Sequence, residues 1–339
     1  MKLAYKSLWD CLHSVLKEKD MIFKQSLKEL LRHFIPRKVF SSQPIMFFNS
    51  KCNGRCIFCL AENVVSMSKK EINIVLNSGY DEISILGGEP LLCKDLEDRV
   101  RQIKEKGVKK VHVFTNGLLL SKERLDSLME AGVTSFNFNF PAHTPKEHEI
   151  MSGLPGNLPR QTENIRRACL KSKNAATLVC VVTTVNYKLL QDYVIYATEN
   201  FPGLFYILFI FVKVSGRVNN NKWLLPNLTD TSREMLKALK TAKEKGIACL
   251  IDGMPLCFLP GWEAYSWDID NKLGGKINYT GINADLEVCR HCELSDICVG
   301  PRKDYVEMYG DKEFKPAHAD KEEIIRLVKR GQVDLNTKN

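Results

Sequence analysis

The chain has no run of about eighteen consecutive apolar residues, the length a helix needs to cross a bilayer. Its most apolar segment, Leu204 to Val214, is strand-sized and bracketed by Gly203 and Gly216, so no membrane span is expected. The N-terminus, MKLAYKSLWDCLHSVLKEKD, has charges scattered through it and lacks the unbroken apolar stretch of a secretory leader. A reducing cytoplasm is the expected setting, one in which densely placed cysteines bind metal or take part in catalysis more often than they form disulfides. No aromatic ladder or nucleic-acid module accompanies the net charge of +9. Nine Lys or Arg against four acids fall in the first forty residues, where a solvated helical face is the ordinary explanation, and nucleic acid is not an expected partner.

What is present is a globular composition. The 339 residues are 44% hydrophobic and 26% charged, enough for one large α/β domain with a smaller appendage. Three of the twelve cysteines fall in CNGRCIFC, as Cys52, Cys56 and Cys59, directly after the apolar run Ile45, Met46, Phe47, Phe48. A structural zinc site wants four tetrahedral ligands, and no fourth cysteine follows until Cys93. A cubane of four irons, by contrast, can take three thiolates and leave one iron open for chemistry.

Residues 1–42 carry apolar positions at helical spacing (Leu8, Leu12, Val15, Leu16, then Phe23, Leu27, Leu30, Leu31, Phe34), which predicts two basic amphipathic helices ended by Pro36. From residue 43 to residue 251, short β-rich runs alternate with charged amphipathic stretches. Strands are expected at Ile45–Asn49, Glu82–Leu86, Val111–Thr115, Ser135–Phe140, Thr177–Val185 and Phe205–Val214. Strand then helix, repeated about six times, calls for a parallel sheet that closes into a barrel or an open part-barrel, with the active site at the C-terminal ends of the strands. The cysteine loop follows the first strand. The second runs into Gly87, Gly88, Glu89 and Pro90, where glycines let a ligand approach the backbone and a carboxylate can receive an ammonium. Thr115, Asn116 and Gly117 end the third strand, Asn139 the fourth, Asn186 follows the fifth, and Gly216-Arg217 the sixth.

A second cysteine group lies in residues 252–310. CRHCELSDIC supplies Cys289, Cys292 and Cys298, and Cys257 lies upstream; four thiolates suit either zinc or a fully ligated 4Fe–4S cluster, with His291 as an alternative ligand. Residues 311–339 read as a charged helix and tail. Cys11, Cys93, Cys169, Cys180 and Cys249 are left over, most of them expected as buried small hydrophobes.

The spacing C-x3-C-x-aromatic-C, met by Cys52, Cys56, Phe58 and Cys59, resembles the signature of the radical S-adenosylmethionine (radical SAM) superfamily. The resemblance implies a partial (β/α)6 TIM-like barrel. It also implies a SAM-binding 4Fe–4S cluster on Cys52, Cys56 and Cys59, whose reduction cleaves SAM to a 5'-deoxyadenosyl radical that takes a hydrogen atom from substrate. It places Gly87, Gly88 and Glu89 at the SAM amino group, and Phe58, Thr115, Asn116, Asn139, Asn186 and Arg217 around the cofactor, although Pro141-Ala142 stands where relatives carry Asp-Gly. The C-terminal cysteines resemble SPASM and twitch extensions, which implies an auxiliary 4Fe–4S cluster on Cys257, Cys289, Cys292 and Cys298. A reductant such as flavodoxin or ferredoxin is the implied partner. Peptide or protein modification (a crosslink, oxidation or epimerisation) is the favoured expectation for substrate, as the larger part of that group. A radical dehydrogenase or epimerase of a sugar, alcohol or cofactor precursor is the alternative, and a non-catalytic iron-sulfur or zinc protein the reading from another class.

Overall fold

A computed structural model describes residues 44–62, 64–273 and 282–337; the helices expected in residues 1–42 lie outside the described residues. Seven parallel strands run in chain order across one sheet: β1 (Ile45–Phe47), β2 (Glu82–Leu86), β3 (Lys110–Thr115), β4 (Ser135–Asn139), β5 (Ala176–Val182), β6 (Tyr206–Phe211) and β7 (Ala248–Asp252). Consecutive strands are joined through α1 (Lys69–Leu76), α2 (Leu96–Glu105), α3 (Lys122–Ala131), α4 (Pro145–Ser152) and α5 (Leu158–Lys171), α6 (Leu190–Asn200) and α7 (Leu228–Lys245). After β7 come α8 (Asp268–Leu273), α9 (Glu287–Arg290), α10 (Lys303–Tyr309) and α11 (Lys321–Thr337). The sheet is an unclosed part-barrel, with β1 and β7 at its edges.

Local chemistry explains where the helices begin. Ser68 and Glu71 form a reciprocal capping box at the start of α1, and the side chains of Ser121 and Asn227 cap α3 and α7. The strand register then sorts the two faces, because paired residues of parallel strands point the same way. Met46, Ile85, Val113, Phe136, Leu178 and Ile207 fall on one face, wholly buried in the main hydrophobic cluster with the helices. The opposite face carries Ser84, His112, Asn137 and Thr177, a polar lining that belongs to the inner side of the part-barrel.

Six strands were expected and seven are present. The additional strand, β7, is only five residues long and pairs with β6 from Tyr206 opposite Ala248 to Ile210 opposite Asp252. Its outer edge is met by a single bridge, Ile251 to Ser266, which leads into α8. The second strand matches expectation at both ends, and the others differ at one or both ends by up to three residues; β5 stops at Val182 because Thr183 turns into the loop held by Asn186.

The C-terminal residues build a second, smaller hydrophobic cluster from Leu256, Ile269, Leu294, Ile297, Ile324 and Val328. Arg302 joins this region to the sheet. Its buried guanidinium donates to the backbone carbonyls of Val212 (2.7 Å) and Phe211 (3.4 Å), just beyond and at the end of β6, and grips both oxygens of Asp304 at 2.9 and 3.0 Å. Replacing Arg302 with Leu strips these acceptors of their donor and leaves the half-buried Asp304 without its cationic partner. Arg302→Leu is expected to lower stability by about 3–5 kcal/mol, read from the urea midpoint at unchanged m-value.

Candidate active site at the strand ends

The C-terminal ends of the strands gather most of the residues singled out in the sequence, and backbone contact is what gathers them. Beyond β1 and β2 the two chains continue side by side: Gly88 N–H donates to the Asn49 carbonyl (3.0 Å) and Glu89 N–H to the Lys51 carbonyl (2.7 Å). At Gly88 the approach is so close that a Cβ would lie 2.0 Å from the Lys51 oxygen, and only glycine fits. Gly216 makes the matching approach from the β6 side, with φ +56 and a Cβ position 2.4 Å from the Cys59 carbonyl. The loop that bears Cys52, Cys56 and Cys59 is thus held between two glycines.

Glu89 sits at the centre of the first contact and is 1% exposed. Its Oε1 accepts from Thr115 Oγ1 (2.6 Å) and Leu91 N–H (3.0 Å), and its Oε2 from Asn116 N–H (2.8 Å). Burial pushes its pKa up, and these three bonds pull the other way. A carboxylate offers about four lone-pair positions, so one remains for a further donor. Thr115 therefore acts on Glu89 rather than facing outward. Asn116 extends its amide to Asn53 Oδ1 (2.7 Å) in the cysteine loop, and Asn139 Nδ2 lies 3.5 Å from Cys56 Sγ. Phe58 is buried in the main core and anchors the loop.

Arg217 lies over the same loop. Its backbone N–H donates to the Cys59 carbonyl (3.0 Å), and its guanidinium bonds Glu62 (3.0 Å) and approaches the Cys56 carbonyl (3.5 Å). The cation lowers the cost of thiolate charge at Cys52 and Cys59. Burial pushes the Cys56 thiol up to about 12, and the charges of Cys59 and Cys52 add to that, which places the three sulfurs within electrostatic reach of one another. Thiols packed this way favour a cationic group that lets them ionise.

Asn186 differs from expectation. Its Nδ2 donates to the carbonyls of Pro141 (2.8 Å) and Val181 (2.9 Å), and its Oδ1 accepts from Thr183 N–H (2.8 Å). Both amide hydrogens are spent inside the protein, so Asn186 clamps the segment after β4 to the end of β5 and has no free donor for a ligand. Two residues not foreseen in the sequence join the rim. Asn49 donates to the Glu89 carbonyl (2.8 Å) while its buried Oδ1 has no partner among the described residues, and Asn53 meets Asn116. Asn49 lies just past Phe48 beyond β1, a position whose importance is visible only once β2 is laid beside it.

In the second cysteine group, burial pushes the thiol of Cys257 up to about 12, and the charges of Cys298, Cys289 and Cys292 add to this. Backbone N–H groups point at these sulfurs: Leu256 and Gly300 at Cys298, and Ala317 at Cys292, each at 3.3 Å. Among the described residues no three Cys, His, Asp or Glu side chains converge tightly enough to share one metal ion.

Comparison with known proteins points to one superfamily. Residues 46–194 match the model of the radical SAM superfamily. Over these residues the chain is similar to the radical SAM superfamily. Within it, GTP 3',8-cyclase of Limosilactobacillus fermentum is 30% identical over 174 residues, covering 47% of this chain and 52% of that protein. The mitochondrial GTP 3',8-cyclase of Arabidopsis thaliana is 28% identical over 189 residues, covering 52% and 47%. The chain spans about half the length of the curated relatives it matches. Among solved structures, Streptococcus suis SuiB bound to S-adenosylmethionine overlays with a TM-score of 0.56 at 16% identity, over 87% of this chain and 80% of that one. Native anSMEcpe with bound AdoMet and Kp18Cys peptide gives 0.55 at 15%, over 87% and 98%. At these identities the likeness is one of fold. Radical SAM proteins use a 4Fe–4S cluster and SAM. No helix among the described residues is long and apolar enough to cross a membrane.

A further charged group lies where β6 and β7 end. Asp252 shares the inner face with Ile210, with Lys213 3.7 Å away, and Asp268 accepts from Gly253 N–H at 2.7 Å. Burial first, then the charge of Asp252, pushes Asp268 up to about 8, while Lys213 opposes this. A carboxyl whose pKa is raised on folding contributes stability that is present below its unfolded value, near 3.8, and is lost as pH rises through the folded value. The protein is expected to lose stability between about pH 4 and pH 8 and Asp268→Asn to flatten that slope, measured by thermal unfolding across this range. Gly88→Ala, which drives a methyl group into the Lys51 carbonyl, is expected to weaken SAM binding about tenfold or more in equilibrium dialysis, roughly 1.4 kcal/mol.

Proposed function

We propose that this protein is a radical SAM enzyme in which Cys52, Cys56 and Cys59 hold the SAM-binding 4Fe–4S cluster, Gly87, Gly88 and Glu89 receive the SAM amino group, and Cys257, Cys289, Cys292 and Cys298 hold an auxiliary 4Fe–4S cluster. The observation that carries this reading is the contact between the Gly88-Glu89 segment and the cysteine loop. It sets a buried carboxylate with one open acceptor position beside three clustered thiols. When bound and reduced, the first cluster supplies the electron that cleaves SAM to the 5'-deoxyadenosyl radical. The protein's own part is to bind, orient and exclude. Glu89 offers its remaining acceptor position to the SAM ammonium, Arg217 offsets negative charge on the thiolates, and the inner face of the sheet confines the radical to one substrate C–H bond. Residues 252–310 are the unit that carries the second cluster, and a small reductant of the flavodoxin or ferredoxin kind delivers the electron.

For substrate, sequence likeness favours a small molecule over the peptide expected at first. The curated relatives near 30% identity are named for a nucleotide cyclisation, whereas the structures with a peptide partner share the fold alone.

The test is anaerobic reconstitution with iron and sulfide, followed by dithionite, SAM and mass spectrometry for 5'-deoxyadenosine. About eight irons per chain and deoxyadenosine are expected, because two cubanes hold eight. Cys56→Ala is expected to abolish cleavage and keep roughly half the iron; Cys292→Ala should keep cleavage and lose the other half. Four irons with bound zinc, or no deoxyadenosine in the native protein, would overturn the assignment. Adding GTP or a peptide library to the same assay separates the substrate classes by which one accelerates deoxyadenosine release.

A further inference from the structure

Behind the strand ends, one buried side chain is bonded to three separate segments. Gln161, on α5, is 1% exposed. Its Nε2 donates to the carbonyl of Asn116 at 2.6 Å and to that of Asn139 at 2.9 Å. Both amide hydrogens are committed, so Oε1 must be the acceptor, and it meets His148 Nε2 at 2.7 Å. His148, on α4, is wholly buried and must therefore donate from Nε2, which leaves Nδ1 bare; that atom has no partner among the described residues. Burial holds the pKa of His148 below its usual value, in keeping with a neutral ring whose second nitrogen has nothing to donate to.

The contacts continue in both directions. At the C-terminal end of α4, the carbonyls of Ser152 and Met151 accept from Arg55 N–H (2.9 Å) and Ile57 N–H (3.0 Å), which flank Cys56. Ser152 Oγ returns a bond to the His148 carbonyl at 2.6 Å. On the other side, Asn116 and Asn139 are the residues that contact Glu89 and Cys56. One amide therefore connects the ends of β3 and β4 to the cysteine loop, and it is too deeply enclosed to touch a ligand itself.

We propose that Gln161 is a positioning residue for the SAM pocket: through two backbone carbonyls it fixes the spacing of the β3 and β4 ends, and through His148 it ties that spacing to the loop bearing the three cysteines. This rests on the reading above, in which that loop and Glu89 frame the SAM site. Gln161→Glu keeps the shape and sets a carboxylate oxygen against two carbonyl oxygens; Gln161→Leu removes all three bonds.

The experiment uses the full chain, reconstituted anaerobically, with iron content, SAM affinity by equilibrium dialysis and the SAM-induced change in the reduced cluster's electron paramagnetic resonance spectrum as readouts. Both variants are expected to hold iron as the native chain does, to bind SAM about tenfold or more weakly, and to raise KM for SAM more than they lower kcat for its cleavage. In the cluster-free chain, hydrogen exchange should accelerate at residues 116–118 and 139–142 and stay unchanged at β6. Native-like SAM affinity in Gln161→Leu would overturn the proposal, and so would equal loss of iron and SAM, which would make Gln161 a packing residue only. Should Gln161→Leu fail to fold, His148→Asn, which breaks one bond of the three, takes its place with about a threefold loss expected. Glu89→Gln run alongside separates the two claims. If it too binds SAM normally, the pocket assignment fails; if it weakens binding while the Gln161 variants do not, only the positioning role fails.

Discussion

Everything at the rim depends on how closely the backbone after β2 lies along the backbone after β1. Two N–H to carbonyl bonds, Gly88 to Asn49 and Glu89 to Lys51, prolong the strand pairing past the last side-chain ladder and leave no room for a Cβ at Gly88. That contact turns two chain segments into one wall. It sets Glu89 where Thr115 and Asn116 can reach it from β3, and it fixes where the cysteine loop must leave the sheet. A parallel sheet makes such a rim possible because every strand ends on the same side, so seven loops meet there without any having to cross the core.

Much of this was legible in the chain itself. The alternation of short apolar runs with amphipathic stretches was enough for the parallel part-barrel, and Glu82–Leu86 and Lys122–Ala131 fall where the pattern places them. The cysteine spacing and the Gly-Gly-Glu element carry their chemistry in the residue types. What stayed hidden depends on contacts between distant residues. Gln161 and His148 look like ordinary positions of amphipathic helices, and nothing in the surrounding sequence says that Gln161 bonds two strand ends. Asn186 shows the converse case. Its place after the fifth strand suggested a ligand contact, but its amide is consumed by Pro141, Val181 and Thr183. Position along a strand says which rim a residue occupies, and only packing says whether its polar atoms are free.

The two cysteine groups are built by different means. The first is a loop clamped by glycines, with one arginine and one asparagine near its sulfurs. The second draws its thiols from two separated segments, packs Cys292 and Cys298 on a small hydrophobic cluster and directs backbone N–H donors at these two. Backbone amides directed at sulfur stabilise thiolate charge without adding a mobile side chain, and around an iron-sulfur cluster such bonds help set the reduction potential. Arg302 matters to both groups, since it joins the end of β6, whose following loop carries Arg217, to the segment just beyond Cys298.

The strand order has a kinetic corollary. A sheet whose spatial order is its chain order can be laid down one βα unit at a time, each strand pairing with the one made just before it, so loop closure stays inexpensive throughout. The partners of the first cysteine loop at Glu89, Asn116 and Asn139 belong to the next three units and are synthesised before the rest of the chain. Arg217 arrives much later, and Cys257, Cys289, Cys292 and Cys298 later still. A ribosome-bound chain would therefore present the first group of thiols in a nearly finished frame well before the second group exists, and the two sites would mature in the order in which they are encoded.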